Sequence, residues 1–212
     1  DIGIAMGIKG TEVAKEAAQM VLADDNFATI TDAVEEGRAV YDTLKKAIMF
    51  ILPTNGGEAL VLLVAIAFGL TLPITPLQIL WINMITAVLL GLPLAFETKE
   101  PDIMQRPPRQ PDEPLLGRSQ WMTIMATGVL QAAVTLGVFV WALQMRDLVE
   151  ARNLAFSTLV FGELFRAFAA RSPTRLFFEV GVFTNLRLLG VVSLSVLIQI
   201  GLHHIPAIQD IF

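Results

Sequence analysis

The longest uncharged run in the chain is ALVLLVAIAFGLTLPITPLQILWINMITAVLLGLPLAF, at residues 59–96. It is too long for one membrane span and suits two spans of roughly 20 residues each. Pro73 and Pro76, in LTLPITP, are typical of a turn between two such spans. The run therefore predicts two consecutive transmembrane helices joined by a short turn.

Further apolar runs extend this membrane pattern along the chain. Hydrophobic residues make up 54% of the sequence, which exceeds the roughly 45–50% usual for a globular domain. We predict transmembrane helices at residues 47–70, 74–95, 121–145, 154–170 and 187–203. The fold class is therefore predicted to be mainly α, a polytopic α-helical membrane domain.

Basic residues flank the five predicted helices mainly on one side, which is the pattern of short cytoplasmic loops. That side carries Lys45, Lys46, Lys99, Arg106, Arg109, Arg118, Arg171, Arg175 and Arg187. The other side receives only Arg146 and Arg152, which are offset by Asp147 and Glu150. We expect an integral membrane protein, in the plasma membrane of a prokaryote, with residues 1–46 and 97–118 in the cytoplasm.

Residues 1–46 differ from the rest, because their charged residues are distributed as in a soluble α/β unit. GTEVAKEAAQ suits a short amphipathic helix and MVL a short buried strand. We interpret residues 29–46 as a stalk helix that continues into the transmembrane domain of residues 47–212. The chain opens at Asp1 without a methionine or a signal peptide, so we expect this start to lie inside a longer protein.

Charge and cysteine content narrow the possible partners. The net charge is −5 and no basic stripe interleaved with aromatic residues occurs, so we expect membrane lipid rather than nucleic acid as a partner. Without cysteine, the chain has neither disulfides nor thiolate metal ligands of its own.

Five polar residues lie about midway along predicted spans: Asn55 and Glu58, Asn83 and Thr86, and Glu163. Each of the first two pairs is spaced three residues apart and so shares a helix face. A carboxylate near the bilayer centre costs several kcal/mol, so it normally faces a cavity, a partner or an ion. Oxygen ligands from three helices predict a site for a hard cation such as calcium.

Several alternatives stay open for these residues. Glu58 is otherwise a buried carboxyl that is hydrogen-bonded or protonated. Pro53, Gly56 and Gly57 either free backbone carbonyls for coordination or merely permit close helix packing. Arg166, three residues after Glu163, would neutralise that carboxylate in an ion pair.

His203 and His204 fall where the last predicted helix leaves the membrane. They favour an interfacial position over a metal site, since no third ligand is nearby in sequence.

The segment DIGIAMGIKGTEVAKEAAQMVLADDNFATITDAVEEGR resembles the end of the phosphorylation domain, a haloacid-dehalogenase-like α/β domain, of P-type ATPases of the calcium-pump and sodium-pump group. TNGGE resembles the ion motif of their fifth transmembrane helix, and LQILWINMIT that of the sixth. DIMQRPPR resembles the cytoplasmic loop that follows, and STLVFGELF the eighth helix. The resemblance implies that residues 1–28 end the phosphorylation domain and that the predicted helices are the fifth to ninth of ten.

The resemblance also implies functional roles. It matches Asn55, Glu58, Asn83, Thr86 and Glu163 to metal ligands for the transported cation, with calcium favoured. The intact protein would be an ATP hydrolase that uses ATP and Mg²⁺. Its phosphorylated aspartate, ATP site and fourth-helix ligand would lie in upstream domains of the same polypeptide, so this chain would hold no catalytic residue.

One position departs from the family pattern. Calcium pumps of the reticulum type have an aspartate where this chain has Ala87, so two divalent ions would be poorly neutralised here. Sodium, potassium, magnesium or protons therefore stay open as the transported ion. A different class, a passive multi-pass channel or scaffold, accounts for the apolar runs but not for the soluble segment before them.

Overall fold

The computed structural model describes residues 2–110, 112–172, 175 and 177–204, and the chain divides into two units. The first unit comprises Asp1–Asp42 and Lys99–Arg109, and the second comprises Thr43–Thr98 and Gln110–Phe212.

The first unit begins with a small parallel sheet. Strands β1 (Ile4–Met6) and β2 (Met20–Leu22) pair with Ile4 opposite Met20. Because parallel neighbours need a crossover, helix α1 (Glu12–Ala17) connects them. The hydroxyl of Thr11 accepts a hydrogen bond from the Ala14 amide and so caps this helix.

A single helix, α2 (Ala28–Ala67), contains both the stretch interpreted as a stalk and the first predicted span. It ends at Ala67 rather than at residue 70, because Gly69 adopts a left-handed φ of 66°. The helix is continuous through Pro53, where the Thr54 hydroxyl donates to the carbonyls of Phe50 and Ile51. The backbone therefore stays helical at Pro53, where the sequence left open whether carbonyl groups are freed for coordination.

The second predicted span contains a π-helical segment between two α-helices. Helix α3 (Pro76–Trp81) is followed by a π-helical segment (Ile82–Ala87) and helix α4 (Val88–Leu94). The start at residue 76 follows from a capping box, in which Thr75 and Gln78 exchange side-chain to backbone hydrogen bonds. Single π-helical turns inside α-helices are frequent at functional sites.

The remaining helices are α5 (Arg118–Met145), α6 (Leu148–Ala169), α7 (Phe177–Val180) and α8 (Leu186–His204), with a short 3₁₀ turn before α8. Helix α6 begins at Leu148 rather than at residue 154. The cause is an N-cap, because the Asp147 carboxylate accepts from the Glu150 amide at 2.8 Å.

Among the described residues, three helical stretches are long and apolar enough to cross a membrane: Ala28–Ala67, Pro76–Leu94 and Arg118–Met145. Leu186–Gly201 is a shorter apolar helix, and the charged residues of α6 lower its hydropathy. The predicted fold class, mainly α with membrane helices and a small α/β segment, is confirmed.

Candidate functional site

All five candidate ligands lie on three segments of the second unit, with Asn55 on α2 like Glu58. Glu58 is on α2, Asn83 and Thr86 are on the π-helical segment, and Glu163 is on α6. Only 6% of Glu58, 2% of Thr86 and 3% of Glu163 is exposed. Buried carboxylates of this kind need an electrostatic partner, because burial without one costs several kcal/mol per charge.

The candidate ligands lie between two apolar clusters. In sequence order, Glu58 falls between Phe50 of one cluster and Val61 of the other, and Glu163 falls between Leu164 and Val160. Asn83 and Thr86 follow the same order, since Ile82 before them belongs to one cluster and Leu90 after them, on α4, belongs to the other. The candidate ligands therefore form a polar layer with apolar clusters before and after it along each helix.

One direct hydrogen bond links two of the candidate ligands. Asn83 Nδ2 donates to Glu58 Oε2 at 2.9 Å and to the Ile79 carbonyl at 3.1 Å. The second bond anchors the amide to its own helix turn. Asn83 therefore fixes the position of one carboxylate oxygen of Glu58 and leaves the other one free.

Four buried oxygens of this layer have no hydrogen-bond partner: Glu58 Oε1, Thr86 Oγ1 and both carboxylate oxygens of Glu163. The charges of Glu58 and Glu163 also interact with each other. Buried polar atoms are nearly always satisfied, so four orphaned oxygens in one layer call for a specific explanation. Carboxylate and hydroxyl oxygens are the ligands that hard cations prefer, so the layer has the chemistry of a cation site.

The ion pair allowed by the sequence between Glu163 and Arg166 is not formed. Arg166 Nη1 instead donates to the hydroxyl of Thr127 on α5 at 3.1 Å. The arginine charge still interacts with Glu163 at longer range, but it leaves both carboxylate oxygens unpaired. The prediction of a neutralising pair is therefore wrong, because a neighbouring helix provides a competing acceptor.

The structure does not bring Asn55 to the other candidates. Its side chain is exposed on α2, although Glu58 one turn later is buried. The side chains of His203 and His204 lie outside the described residues. Among the described side chains, no three His, Cys, Asp or Glu residues form a metal-binding group, so the layer relies on amide and hydroxyl oxygens beside its two carboxylates.

The sequence did not indicate how closely α2 and α5 approach beside this layer. A Cβ added to Gly128 would lie 3.4 Å from the Pro53 carbonyl oxygen and 3.7 Å from the Gly57 nitrogen. Small residues facing each other let helix backbones approach this closely. The sequence did contain one signal for close helix packing beside the layer. A glycine, Gly57 or Gly162, directly precedes each of the two buried carboxylates.

A buried charged cluster in the second unit was also not anticipated. Arg171 and Glu97 form a bidentate ion pair at 2.8 and 3.0 Å, with side chains only 1% and 3% exposed. Asn185 also donates to Glu97, and Arg171 donates to the Gly181 carbonyl. From the sequence, both residues were expected in loops. Because they lie 74 positions apart, no sequence pattern indicates that they form a pair.

In the first unit, the segment Lys99–Arg109 is bound to α2 by several charged contacts. Arg106 Nη1 lies 2.6 Å from Asp42 Oδ2, and Arg38 donates to the carbonyls of Ile103 and Arg106. Lys99 pairs with Glu36 and Glu35, which raise its pKa. These contacts tie the predicted cytoplasmic loop to the part of α2 that precedes its apolar half.

Comparison with known proteins identifies the family. A sequence model described as "Cation transporting ATPase, C-terminus" matches residues 71–212. The chain belongs to the cation-transporting ATPase family. The resemblance to P-type ATPases given by the sequence motifs is thus confirmed.

Individual members of this family match the whole chain. The sequence is 50% identical to "Probable cation-transporting ATPase F" of Mycobacterium tuberculosis and 41% identical to "Calcium-transporting ATPase" of Bacillus subtilis. It is 37% identical to "Calcium-transporting ATPase 1" of Yarrowia lipolytica. These matches cover 100% of this chain but only 23–24% of each relative, so the chain spans about a quarter of their length.

Proposed function

We propose that this chain forms the ion-transport part of an ATP-driven P-type cation pump and that calcium is the transported cation. The observation that carries the proposal is the layer of four unpaired buried oxygens on Glu58, Thr86 and Glu163. Two relatives named as calcium-transporting ATPases support the choice of ion.

The proposed ligand set is Glu58, Asn83, Thr86 and Glu163. Two carboxylates balance the charge of one divalent ion. With Ala87 in place of a third carboxylate, a second divalent ion would leave uncompensated charge in the layer. We therefore propose one calcium ion per cycle.

A second candidate is a pump for another cation. Two carboxylates would also balance one magnesium ion or two monovalent ions such as sodium, potassium or protons, and one of the similar proteins is named only as a cation-transporting ATPase. Ion dependence of the intact pump separates these candidates from calcium.

In the intact protein, ATP, Mg²⁺ and the phosphorylated aspartate would be held by upstream domains. Helix α2 carries Asp42, which is paired with Arg106, and also Glu58. We propose that this continuous helix transmits the phosphorylation state to the ion layer. In this proposal the protein lies in a prokaryotic plasma membrane, with residues 1–46 and 97–118 in the cytoplasm.

The test is a calcium titration of phosphoenzyme formation from ATP in the full-length pump. Glu58→Gln keeps size and hydrogen bonding but removes one charge, so phosphorylation should require far more calcium or be lost. Phosphorylation from inorganic phosphate without calcium should persist. The matched control is Glu16→Gln, which removes an exposed carboxylate of the first unit. Normal calcium affinity in Glu58→Gln would refute the proposed site.

A further inference from the structure

The side chain of Gln131, on α5, contacts the residue before each of the two buried carboxylates. A Cβ added to Gly57 would lie 3.2 Å from Gln131 Cγ and 3.3 Å from its Cβ. A Cβ added to Gly162 would overlap the Gln131 side-chain amide. Gln131 thus occupies the space that Gly57 and Gly162 leave open on α2 and α6.

A hydrogen bond holds this side chain in place. Gln131 Nε2 donates to the Thr158 carbonyl at 3.3 Å, one helical turn before Gly162. One turn earlier on the same face of α5, Thr127 accepts the Arg166 hydrogen bond that keeps the guanidinium from pairing with Glu163. This face of α5 therefore contacts α6 at Gly162, directly before Glu163, and at Arg166, three residues after it.

We propose that Gln131 is a positioning residue of the ion layer, which sets the separation of Glu58 and Glu163 by filling the space between Gly57 and Gly162. Gln131 is not itself a ligand in this proposal. Each glycine directly precedes its glutamate in the chain. A shift of α2 or α6 toward α5 at the glycine therefore also moves the carboxylate. The inference rests on the proposed function, since it concerns the affinity of that same site.

The test uses the full-length pump and calcium titration of phosphoenzyme formation. Gln131→Ala leaves the space unfilled, so half-maximal phosphorylation should need about ten-fold more calcium, a typical loss for residues that orient ligands. Phosphorylation from inorganic phosphate without calcium should keep its maximal level. Gln131→Met keeps the length without the amide and should recover most of the lost affinity.

A double-variant cycle tests the contact itself. Gly162→Ala should also lower calcium affinity, because the new methyl group displaces the Gln131 amide. Adding Gln131→Ala makes room for that methyl group, so the double variant should lose less affinity than the sum of the single losses. If Gln131→Ala folds poorly, Gln131→Ser combined with Gly162→Ala gives the same comparison, because serine is also short enough to leave room for the methyl group.

Matched controls are available on the same helix. Gln144→Ala removes an exposed glutamine of α5, and Gly137→Ala adds a methyl group where no atom lies within 4 Å; both should leave calcium affinity unchanged. Unchanged affinity in Gln131→Ala, or strictly additive losses in the cycle, would overturn the inference. If Glu58→Gln and Glu163→Gln also had no effect, the proposed site itself would fail, which distinguishes the two outcomes.

Discussion

Asn83 and Glu58 are joined by a hydrogen bond of 2.9 Å that runs from the π-helical segment to α2. The donor is the amide nitrogen, so the amide stabilises a negative charge on Glu58. A cation between these residues would instead require the amide oxygen of Asn83, because a nitrogen that carries hydrogens cannot coordinate it. If a cation binds at this position through Asn83, its ligand is the amide oxygen, and the bond from the amide nitrogen to Glu58 orients that amide.

Asn83→Ala tests this relationship. The variant leaves Glu58 Oε2 buried without its donor, which should destabilise the calcium-free form by about 1–3 kcal/mol. The expected result is a lower unfolding temperature of the purified pump in chelator, together with weaker calcium binding. An unfolding temperature equal to that of the wild type in chelator would show that the bond contributes nothing to the calcium-free form.

Ala87→Asp tests the charge limit on stoichiometry. The new carboxylate lies at the end of the π-helical segment, one residue after Thr86, and adds the charge needed for a second divalent ion. We expect more bound calcium per phosphorylation site, measured by isotope binding to the full-length pump. Ala87→Asn is the neutral control, and equal calcium binding by both variants would argue against a limit set by charge.

Thr127→Val tests how Arg166 is kept from Glu163. Valine has a similar shape but no hydroxyl, so the guanidinium loses its acceptor on α5. Its remaining electrostatic partner is Glu163, and an ion pair between them would remove a ligand charge. Calcium affinity should therefore fall. Thr123→Val, at an exposed threonine of the same helix, should not change it. If Thr127→Val keeps normal affinity, the threonine does not restrain the arginine.

Arg171→Ala tests the buried cluster in the second unit. Removing one partner of a buried ion pair leaves an uncompensated charge and typically costs about 3–5 kcal/mol. We expect a clearly lower unfolding temperature in detergent, and the same for Glu97→Ala. The control is Arg175→Ala, which removes an exposed arginine four residues later. Equal unfolding temperatures for Arg171→Ala and Arg175→Ala would contradict the stabilising role.

Much of the buried polar layer was predictable because depth in a membrane helix is nearly a linear function of residue number. Glu58, Asn83, Thr86 and Glu163 were therefore placed at a similar depth by counting alone. The direction of each side chain around its helix was harder to predict. Asn55 shares a helix face with Glu58 by spacing, yet one is exposed and the other buried, because the packing of α5 and α6 determines which part of α2 is covered.

The sequence by itself determined the membrane class, the short α/β segment and the residue types of the buried polar layer, because hydropathy and helical spacing are local properties of the chain. The tertiary structure alone decided the long-range pairings. Arg166 bonds to Thr127, 39 positions away, rather than to its near neighbour Glu163. Likewise, Glu97 meets Arg171 from 74 positions away. Such contacts depend on which helices pack together, and the energy of a buried polar group depends on the partner that this packing supplies.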